Sequence, residues 1–416
     1  MASIRLRLTL MSFLQFFIWG SWLITVGNYW FGTLHWNGAE FGAIFSTLGL
    51  SSLFMPALMG IVADRWMNAE RVYGLLHILG GLALAFIPQV QHASAFFWVI
   101  FAAMICYMPT ISLSNSIAYS ILKNNQLDVV KVFPPIRVWG TIGFIVAMWV
   151  TNLSGNKASA NMFYIAAVSA ILLGLYSFTL PPCKPAHRVQ AHSSLIDVLG
   201  LRAFRLFSNL KMALFFIFSM FLGAALQLTN MYGDTFLSEF ASMPQYADSL
   251  AVKYSTLIMS VSQISETLFI LAIPFFLKRF GIKQVMLFSM LAWVLRFGLF
   301  AYGNPGDGLW MIVLSCIVYG MAFDFFNISG SLFVETNTDD TIRSSAQGVF
   351  MMMTNGVGAM LGSSVSGYMI DRYFTVDGTK QWHGIWLSFS VYALLIAIAF
   401  ALVFRHRHER NQESGS

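Results

Sequence analysis

The sequence predicts an all-α membrane protein with twelve transmembrane helices, arranged as two halves of six. Three observations predict this fold. Only 10% of the 416 residues are charged and 57% are hydrophobic, whereas a soluble domain carries about 25% charged residues. The chain contains twelve apolar runs long enough to cross a bilayer. Most basic residues fall between alternate runs. A surface so poor in charge must largely face lipid.

The apolar runs form two sets, each run having the roughly 20 residues that a membrane span requires. The first set covers 8–31, 41–63, 71–90, 95–122, 137–153 and 161–180, and the second covers 211–236, 254–277, 283–303, 309–335, 343–370 and 383–404. Arg5 and Arg7 precede the first run, as in a secretory signal. That run is too long for a signal and lacks a small-residue cleavage site, so we interpret it as a retained span.

A polar, proline-rich stretch, PPCKPAHRVQAHSS, separates the two sets. The segment after it, 195–207, mixes apolar residues with Arg202 and Arg205, which predicts a short amphipathic helix at the membrane surface. The expected domains are an N-terminal six-helix half at 1–180, a cytoplasmic linker at 181–210, and a C-terminal six-helix half with a cytoplasmic tail at 211–416.

The distribution of basic residues predicts the orientation. One predicted side of the membrane holds only Lys157, Lys253, Arg372 and Lys380, while most other basic residues lie on the side of both termini and the linker. The positive-inside rule therefore places both termini in the cytoplasm. It also accounts for the net charge of +6 without a nucleic-acid partner.

The cysteines suggest neither a disulfide framework nor a metal site. Cys106, Cys183 and Cys316 form no C-x-x-C pair and no Cys/His cluster. We also find no H-E-x-x-H, G-x-S-x-G or P-loop pattern, which argues against an enzyme and against direct use of ATP. The prediction is a protein without metal or cofactor.

The loop between the second and third spans carries a recognisable pattern. Gly60-Ile-Val-Ala-Asp64-Arg65, followed by Arg71, resembles the G-x-x-x-D-R-x-x-x-x-x-R signature of the major facilitator superfamily. The resemblance implies the major facilitator fold, whose two halves enclose a substrate site near mid-membrane. Gly60 would let helices approach closely, and the charged residues would pair across a cytoplasmic gate. The alternative is ordinary loop charge under the positive-inside rule.

The charged residues that lie within predicted spans include Arg137, Glu266 and Asp324. An ionised side chain at mid-bilayer costs roughly 2.5 to 3.5 kcal/mol, so such residues face protein or water and usually mark a substrate path or proton relay. Helical spacing places other polar and aromatic residues on common faces. These are Thr141 and Phe144 with Arg137, Gln227 with Asn230, Gln263 with Glu266, and Tyr319 with Phe323.

This residue set suits a nucleoside. Amides and carboxylates form paired hydrogen bonds with hydroxyls and ring edges, and aromatic faces stack on flat heterocycles. A simple sugar would also fit, with less need for aromatic rings. Each residue also has a structural explanation: the amides could join helices, Thr141 could bond its own backbone, and Phe144 and Phe323 could pack. Arg137 could mark a helix boundary, and Arg296 could neutralise an acid.

Several long segments resemble the nucleoside:proton symporters of the major facilitator superfamily, over nearly the whole chain. They include FPPIRVWGTIGFIVAMW, SQISETLFILAIPFFLKRFGIK, AFDFFNISGS and SAQGVFMMMTNGVGA. The resemblance implies a substrate site at Arg137, Thr141, Phe144, Gln227, Asn230, Gln263, Glu266, Tyr319 and Phe323. It implies proton coupling through Glu266 and Asp324. The chain departs from the resemblance at Ala225, where the broad-range member of the family carries a glutamate and the xanthosine-type relative also lacks that acid, so the range of nucleosides stays open.

The predicted function is proton-coupled nucleoside import across the bacterial inner membrane by alternating access, with nucleoside and protons as partners. We expect a monomer embedded in lipid. The alternative within transport is another polar solute, such as a sugar or nucleobase. A membrane sensor is disfavoured because no loop is long enough for a signalling domain.

Overall fold

The structure, a computed structural model, describes residues 2–185, 201–338 and 343–405, and these are almost entirely helical. The first half contains α1 Ala2–Gly20, α2 Gly38–Arg65, α3 Ala69–Phe86, α4 Ala93–Asn124, α5 Val129–Leu153 and α6 Asn161–Ser177. The second half contains α7 Leu210–Glu239, α8 Ser255–Phe280, α9 Ile282–Tyr302, α10 Leu309–Asn337, α11 Arg343–Met351, α12 Ala359–Tyr373 and α13 Trp382–Val403.

Short irregular elements complete the described part of the chain. Two π-helices, Asn28–Thr33 and Met352–Gly358, extend α1 and join α11 to α12. The 3₁₀ turns are Ile87–Gln89, Leu201–Ser208 and Phe240–Ser242, and a single α-turn covers Leu250–Lys253. Thr375–Val376 and Thr379–Lys380 form a two-stranded antiparallel ladder in the α12–α13 loop.

The helices match the predicted spans. Within the described residues, nine helices are long and apolar enough to cross a membrane, and α6 is a shorter apolar helix. The α1 run and the α11–α12 run supply the other two spans, giving twelve. The prediction of an all-α membrane protein with two six-helix halves is confirmed.

The two halves meet along two helix pairs, α2 with α12 and α5 with α8. The α2–α12 contact depends on small residues. A Cβ added at Gly42 would collide with the main chain of Ser363 and Gly367. Close backbone approach of this kind is typical of helix pairs in lipid, where packing replaces the hydrophobic effect.

A group of polar residues inside the first half is joined by hydrogen bonds, as the membrane interior favours. Gln15 of α1 is fully buried. Its Oε1 accepts a hydrogen bond from Tyr73 Oη at 2.6 Å and lies 2.9 Å from His77 Nε2, and its Nε2 donates to Thr110 Oγ1 at 2.9 Å. One side chain on α1 therefore fixes α3 and α4.

Two details differ from the sequence prediction. Helix α5 begins at Val129 rather than at 137, so Arg137 lies about two turns inside the helix and does not mark its start. The predicted amphipathic helix at 195–207 is a 3₁₀ helix at Leu201–Ser208 where it is described, and 195–200 lies outside the described residues. Phe207 packs on Phe216 of α7, with ring centroids 5.2 Å apart.

Candidate functional site

Predicted charged residues of the two halves lie near each other where α5 packs on α8. Arg137 places its guanidinium 4.0 Å from the ring centroid of Phe16 on α1. The same group is close enough to Glu266 of α8 to interact with it electrostatically. An arginine of one half therefore faces a carboxylate of the other.

The second predicted acid lies beside the first. Asp324 of α10 interacts electrostatically with Glu266, and only 5% of it is exposed. Its Oδ2 has no hydrogen-bond partner among the described residues. Two carboxyl groups and one arginine thus form a cluster of ionisable groups between the halves, and one oxygen of Asp324 has no hydrogen-bond partner among the described residues.

Aromatic rings and an amide flank this cluster. Tyr319 is buried and stacks on Phe323 with parallel rings 5.9 Å apart. The phenol lies near the side chains of Glu266 and Asp324, and Gln263 lines the same cavity as Tyr319. Two residues predicted to stack on a heterocycle therefore lie next to the two predicted proton carriers.

A small cavity of about 20 Å³ shows which predicted residues share one space. Asn230, Gln263 and Tyr319 line it together with Asp234 and Arg296. The first half contributes Ile24 and Met148. The structure therefore brings these three predicted residues together at the interface between the halves.

The remaining predicted residues lie around this space with less specific contacts. Phe144 packs edge-on against Trp19, with ring centroids 6.5 Å apart. Thr141 is half-buried one turn after Arg137 on α5. Gln227 is buried, and its Oε1 has no hydrogen-bond partner among the described residues.

The end of the molecule away from the linker, here called the far end, is tied across the halves. It comprises the loops at 34–37, 87–92, 154–160, 240–254, 303–308 and 374–381. Lys157 Nζ donates to Val252 O at 2.6 Å and to Ser255 Oγ at 2.9 Å. Burial lowers the pKa of the Lys157 ammonium, and the nearby Asp234 carboxylate opposes that shift.

Further bonds extend this closure. Asn28 Nδ2 donates to Asp234 Oδ2. Trp149 Nε1 donates to Ser260 Oγ at 2.8 Å, and Asn152 Nδ2 donates to Lys253 O at 3.1 Å. The far end is therefore closed by direct bonds between the halves.

The opposite end, which carries the described termini and the linker and is here called the linker end, contains a much larger space. A cavity of about 630 Å³ lies against the last turns of α4. Its lining consists of Ser112, Asn115, Ser116, Tyr119, Ser120, Lys123 and Asn124. This space lies along α4 at the linker end, whereas direct hydrogen bonds join the two halves at the far end.

The predicted gate residues lie at the linker end. Arg65 ends α2 and Arg71 lies in the first turn of α3, and both are exposed. The side chain of Asp64 lies outside the described part of the structure. In this conformation a Cβ at Gly60 would meet no described atom within 4 Å, and the expected role of Gly60 in close helix approach stays a prediction.

Sequence reasoning did not find the polar face of α4 or the bonds at the far end. The α4 residues recur at intervals of three and four, so helical periodicity could have identified them. The far-end partners are distant in the chain and carry no such signal. Among the described residues, no cluster of three or more His, Cys, Asp or Glu is arranged to hold a metal.

Comparison with known proteins places these features in context. The family described as "Nucleoside H+ symporter" matches residues 2–409. The chain is 53% identical to the xanthosine permease of Escherichia coli K12 over 408 residues, covering 98% of this chain and 97% of that one. It is 52% identical to nucleoside permease NupG of the same strain over 409 residues, with the same coverage.

A solved structure agrees with the fold. The crystal structure of the nucleoside transporter NupG superposes with a TM-score of 0.91 at 52% identity, covering 97% of this chain and 100% of that chain. A POT family transporter at 13% identity still gives a TM-score of 0.70, over 96% of this chain and 95% of its own, which shows a shared fold alone.

Proposed function

The chain belongs to the nucleoside H+ symporter family, and we propose that it imports nucleosides together with protons across the bacterial inner membrane. The observation that carries this proposal is the cluster of Arg137, Glu266 and Asp324 between the two halves. Charged groups at membrane depth mark ion or substrate pathways, and a position between the halves can be exposed to each side in turn.

The substrate is a nucleoside because the groups around the cluster suit both the sugar and the base of a nucleoside. Asn230 and Gln263 line one cavity and offer amide donors and acceptors to hydroxyls and base edges. Tyr319 and Phe323 present stacked rings for a planar base. Thr141, Phe144 and Gln227 complete the proposed site.

Glu266 and Asp324 carry the proton. A buried carboxylate without a full set of partners is costly, and protonation removes that cost. Asp324 has an unpartnered oxygen beside a second acid, so a proton on one acid relieves repulsion between the two. Arg137 can compensate only part of the negative charge of the two acids. A bound nucleoside changes which groups Arg137 faces.

The conformation fits one stage of alternating access. We place the linker end in the cytoplasm, with both termini, because most basic residues lie there. The far end is then periplasmic and closed, and the cavity against α4 faces the cytoplasm. The proposed units are 1–180, the linker 181–210 and 211–416, acting as a monomer in lipid without enzymatic activity.

Uptake by purified protein in vesicles tests the proposal. Labelled uridine should accumulate only when the pH gradient is directed inward, and excess unlabelled adenosine or xanthosine should compete if purine nucleosides are accepted. Accumulation with a sodium gradient alone would overturn proton coupling. Competition by a sugar or free nucleobase, with no competition by any nucleoside, would favour the alternative cargo. Tracer counterflow separates a carrier from a sensor that only binds.

A further inference from the structure

We propose that Arg296 is a positioning residue that holds the Tyr319 ring in the wall of the substrate site. This inference rests on the proposed function, since it assigns Tyr319 to the site. Arg296 lies on α9, outside the set of residues predicted to touch substrate. It is only 1% exposed although it is an arginine within a membrane-spanning helix.

The guanidinium of Arg296 is held by three other helices. Its Nε donates to Thr229 Oγ1 of α7 at 3.1 Å, and its Nη1 donates to Ser315 O of α10 at 2.7 Å and approaches Ser262 Oγ of α8 at 3.4 Å. In return, Ser315 Oγ donates to Arg296 O at 2.9 Å. These hydrogen bonds fix the guanidinium in one place.

Each of these hydrogen-bond partners is neutral. The alternative drawn from the sequence, in which Arg296 neutralises an acid, therefore lacks support in its hydrogen bonds. The cationic group instead lies 4.7 Å from the ring centroid of Tyr319 and 4.9 Å from that of Phe300. A desolvated guanidinium this close to an aromatic ring is attracted to the π system.

The Tyr319 ring is thus held from several directions. Arg296 lies on one side, Phe323 stacks parallel to the ring, and Trp293 meets it edge-on at 5.9 Å. Arg296 and Tyr319 also line the same small cavity as Asn230. Loss of the guanidinium should let the ring move within the site that binds the base.

A double-mutant cycle with uridine as the probe tests this role. Binding by detergent-purified protein is measured for wild type, Arg296→Met, Tyr319→Leu and the double variant. If Arg296 acts through Tyr319, Arg296→Met should weaken uridine binding about tenfold in the wild-type background and less than about twofold in the Tyr319→Leu background. Arg296→Lys, which keeps a cation near the ring, should recover part of the loss.

Ser289→Ala is the matched control for effects on stability. Ser289 is fully buried two turns earlier on the same helix, and it bonds the main chain of Ala322 on α10. The Ser289→Ala variant should have a lower melting temperature and an unchanged Kd for uridine. If Arg296→Met does not fold, Thr229→Val, which removes one anchor of the guanidinium, replaces it in the cycle.

The outcomes separate this inference from the proposed function. Equal losses in the wild-type and Tyr319→Leu backgrounds would mean that Arg296 does not act through the ring, and would overturn the inference. If Ser289→Ala lost as much uridine affinity as Arg296→Met, Arg296 would have only a structural role. That result would also overturn the inference. If wild type binds no nucleoside, the proposed function fails instead.

Discussion

The carboxylate of Asp371 caps the amino end of a helix in the opposite half at Gly38. Its two oxygens accept hydrogen bonds from Gly38 N at 2.6 Å and Ala39 N at 2.5 Å, at the start of α2. The first amides of a helix lack partners within the helix and favour negative charge. Asp371, which looks like a solvated residue at a span end, therefore joins the far ends of α12 and α2.

Asp371 also belongs to a second copy of the G-x-x-x-D-R pattern. Gly367-Tyr-Met-Ile-Asp371-Arg372 at the far end of α12 repeats the G-x-x-x-D-R order of Gly60 to Arg65 at the linker end of α2. The glycine has a clear reason here, because a Cβ at Gly367 would collide with the Gly38 carbonyl oxygen and approach Gly42. The far end thus has its own helix-capping acid beside a close glycine contact.

The first prediction concerns this contact. Asp371→Asn removes the charge from two charge-assisted hydrogen bonds, which contribute about 1.5 to 3 kcal/mol each when intact. The population open at the far end should rise by about tenfold or more. The distribution of distances between spin labels on the far ends of α2 and α12 should broaden toward longer values.

Asp377→Asn is the matched control, because Asp377 is exposed in the same loop region. It should leave the distance distribution unchanged. An unaltered distribution in Asp371→Asn would show that the Asp371 bonds do not hold the far end closed.

The second prediction concerns the two proposed proton carriers. Glu266→Gln and Asp324→Asn each keep the shape of the side chain and remove its ability to release a proton. Both variants should lose uridine accumulation driven by a pH gradient, while tracer counterflow persists in at least one of them. The measurement is uptake into vesicles with and without an imposed gradient.

Asp307→Asn, an exposed acid in the α9–α10 loop, serves as the control and should accumulate uridine like wild type. Gradient-driven accumulation at wild-type levels in both Glu266→Gln and Asp324→Asn would disprove their role as proton carriers.

The sequence could predict the helices and much of the site because lipid imposes simple rules. An apolar run that crosses a bilayer forms a helix of roughly 20 residues, because its backbone groups must bond within the segment. Helical spacing correctly put Tyr319 and Phe323 on one face, where their rings stack. The cost of a buried charge pointed to Glu266 and Asp324, which the structure brings together. Their roles in transport stay predictions.

Other contacts could not be predicted because they depend on how the halves meet. Lys157 and Val252 are far apart in the chain, and nothing periodic links them, yet they bond at the far end. Asp371 finds its partners on α2, which only the packing of α2 on α12 brings close. Gly60 fits a known pattern but has open space around it in this conformation.

The third prediction concerns Arg137 and its carboxylate neighbour. Arg137→Gln leaves Glu266 without its cation and removes the contact with Phe16. Both side chains are half-buried, and leaving one charge of such a pair without its partner costs more stability than removing both charges. Arg137→Gln should therefore lower thermal stability, and the double variant with Glu266→Gln should recover part of it. A double variant no more stable than Arg137→Gln would show that the two charges are independent.

The fourth prediction concerns the polar cluster around Gln15. Gln15→Leu keeps a side chain of similar length but leaves the Tyr73 hydroxyl and the His77 ring without their shared acceptor. Each buried group left unpaired costs about 1 to 3 kcal/mol. The unfolding free energy in detergent should therefore fall by about 3 kcal/mol.

Thermal unfolding followed by tryptophan fluorescence measures the effect of Gln15→Leu. Gln245→Leu, at an exposed loop position, should leave the free energy of unfolding within about 0.5 kcal/mol of that of wild type. Tyr107 bonds the main-chain oxygen of Gln15 and keeps that bond in the variant, so the loss reflects Gln15's side chain alone. A transition as high as that of wild type would mean that Tyr73 and His77 find other partners, and that Gln15 does not tie α1 to α3.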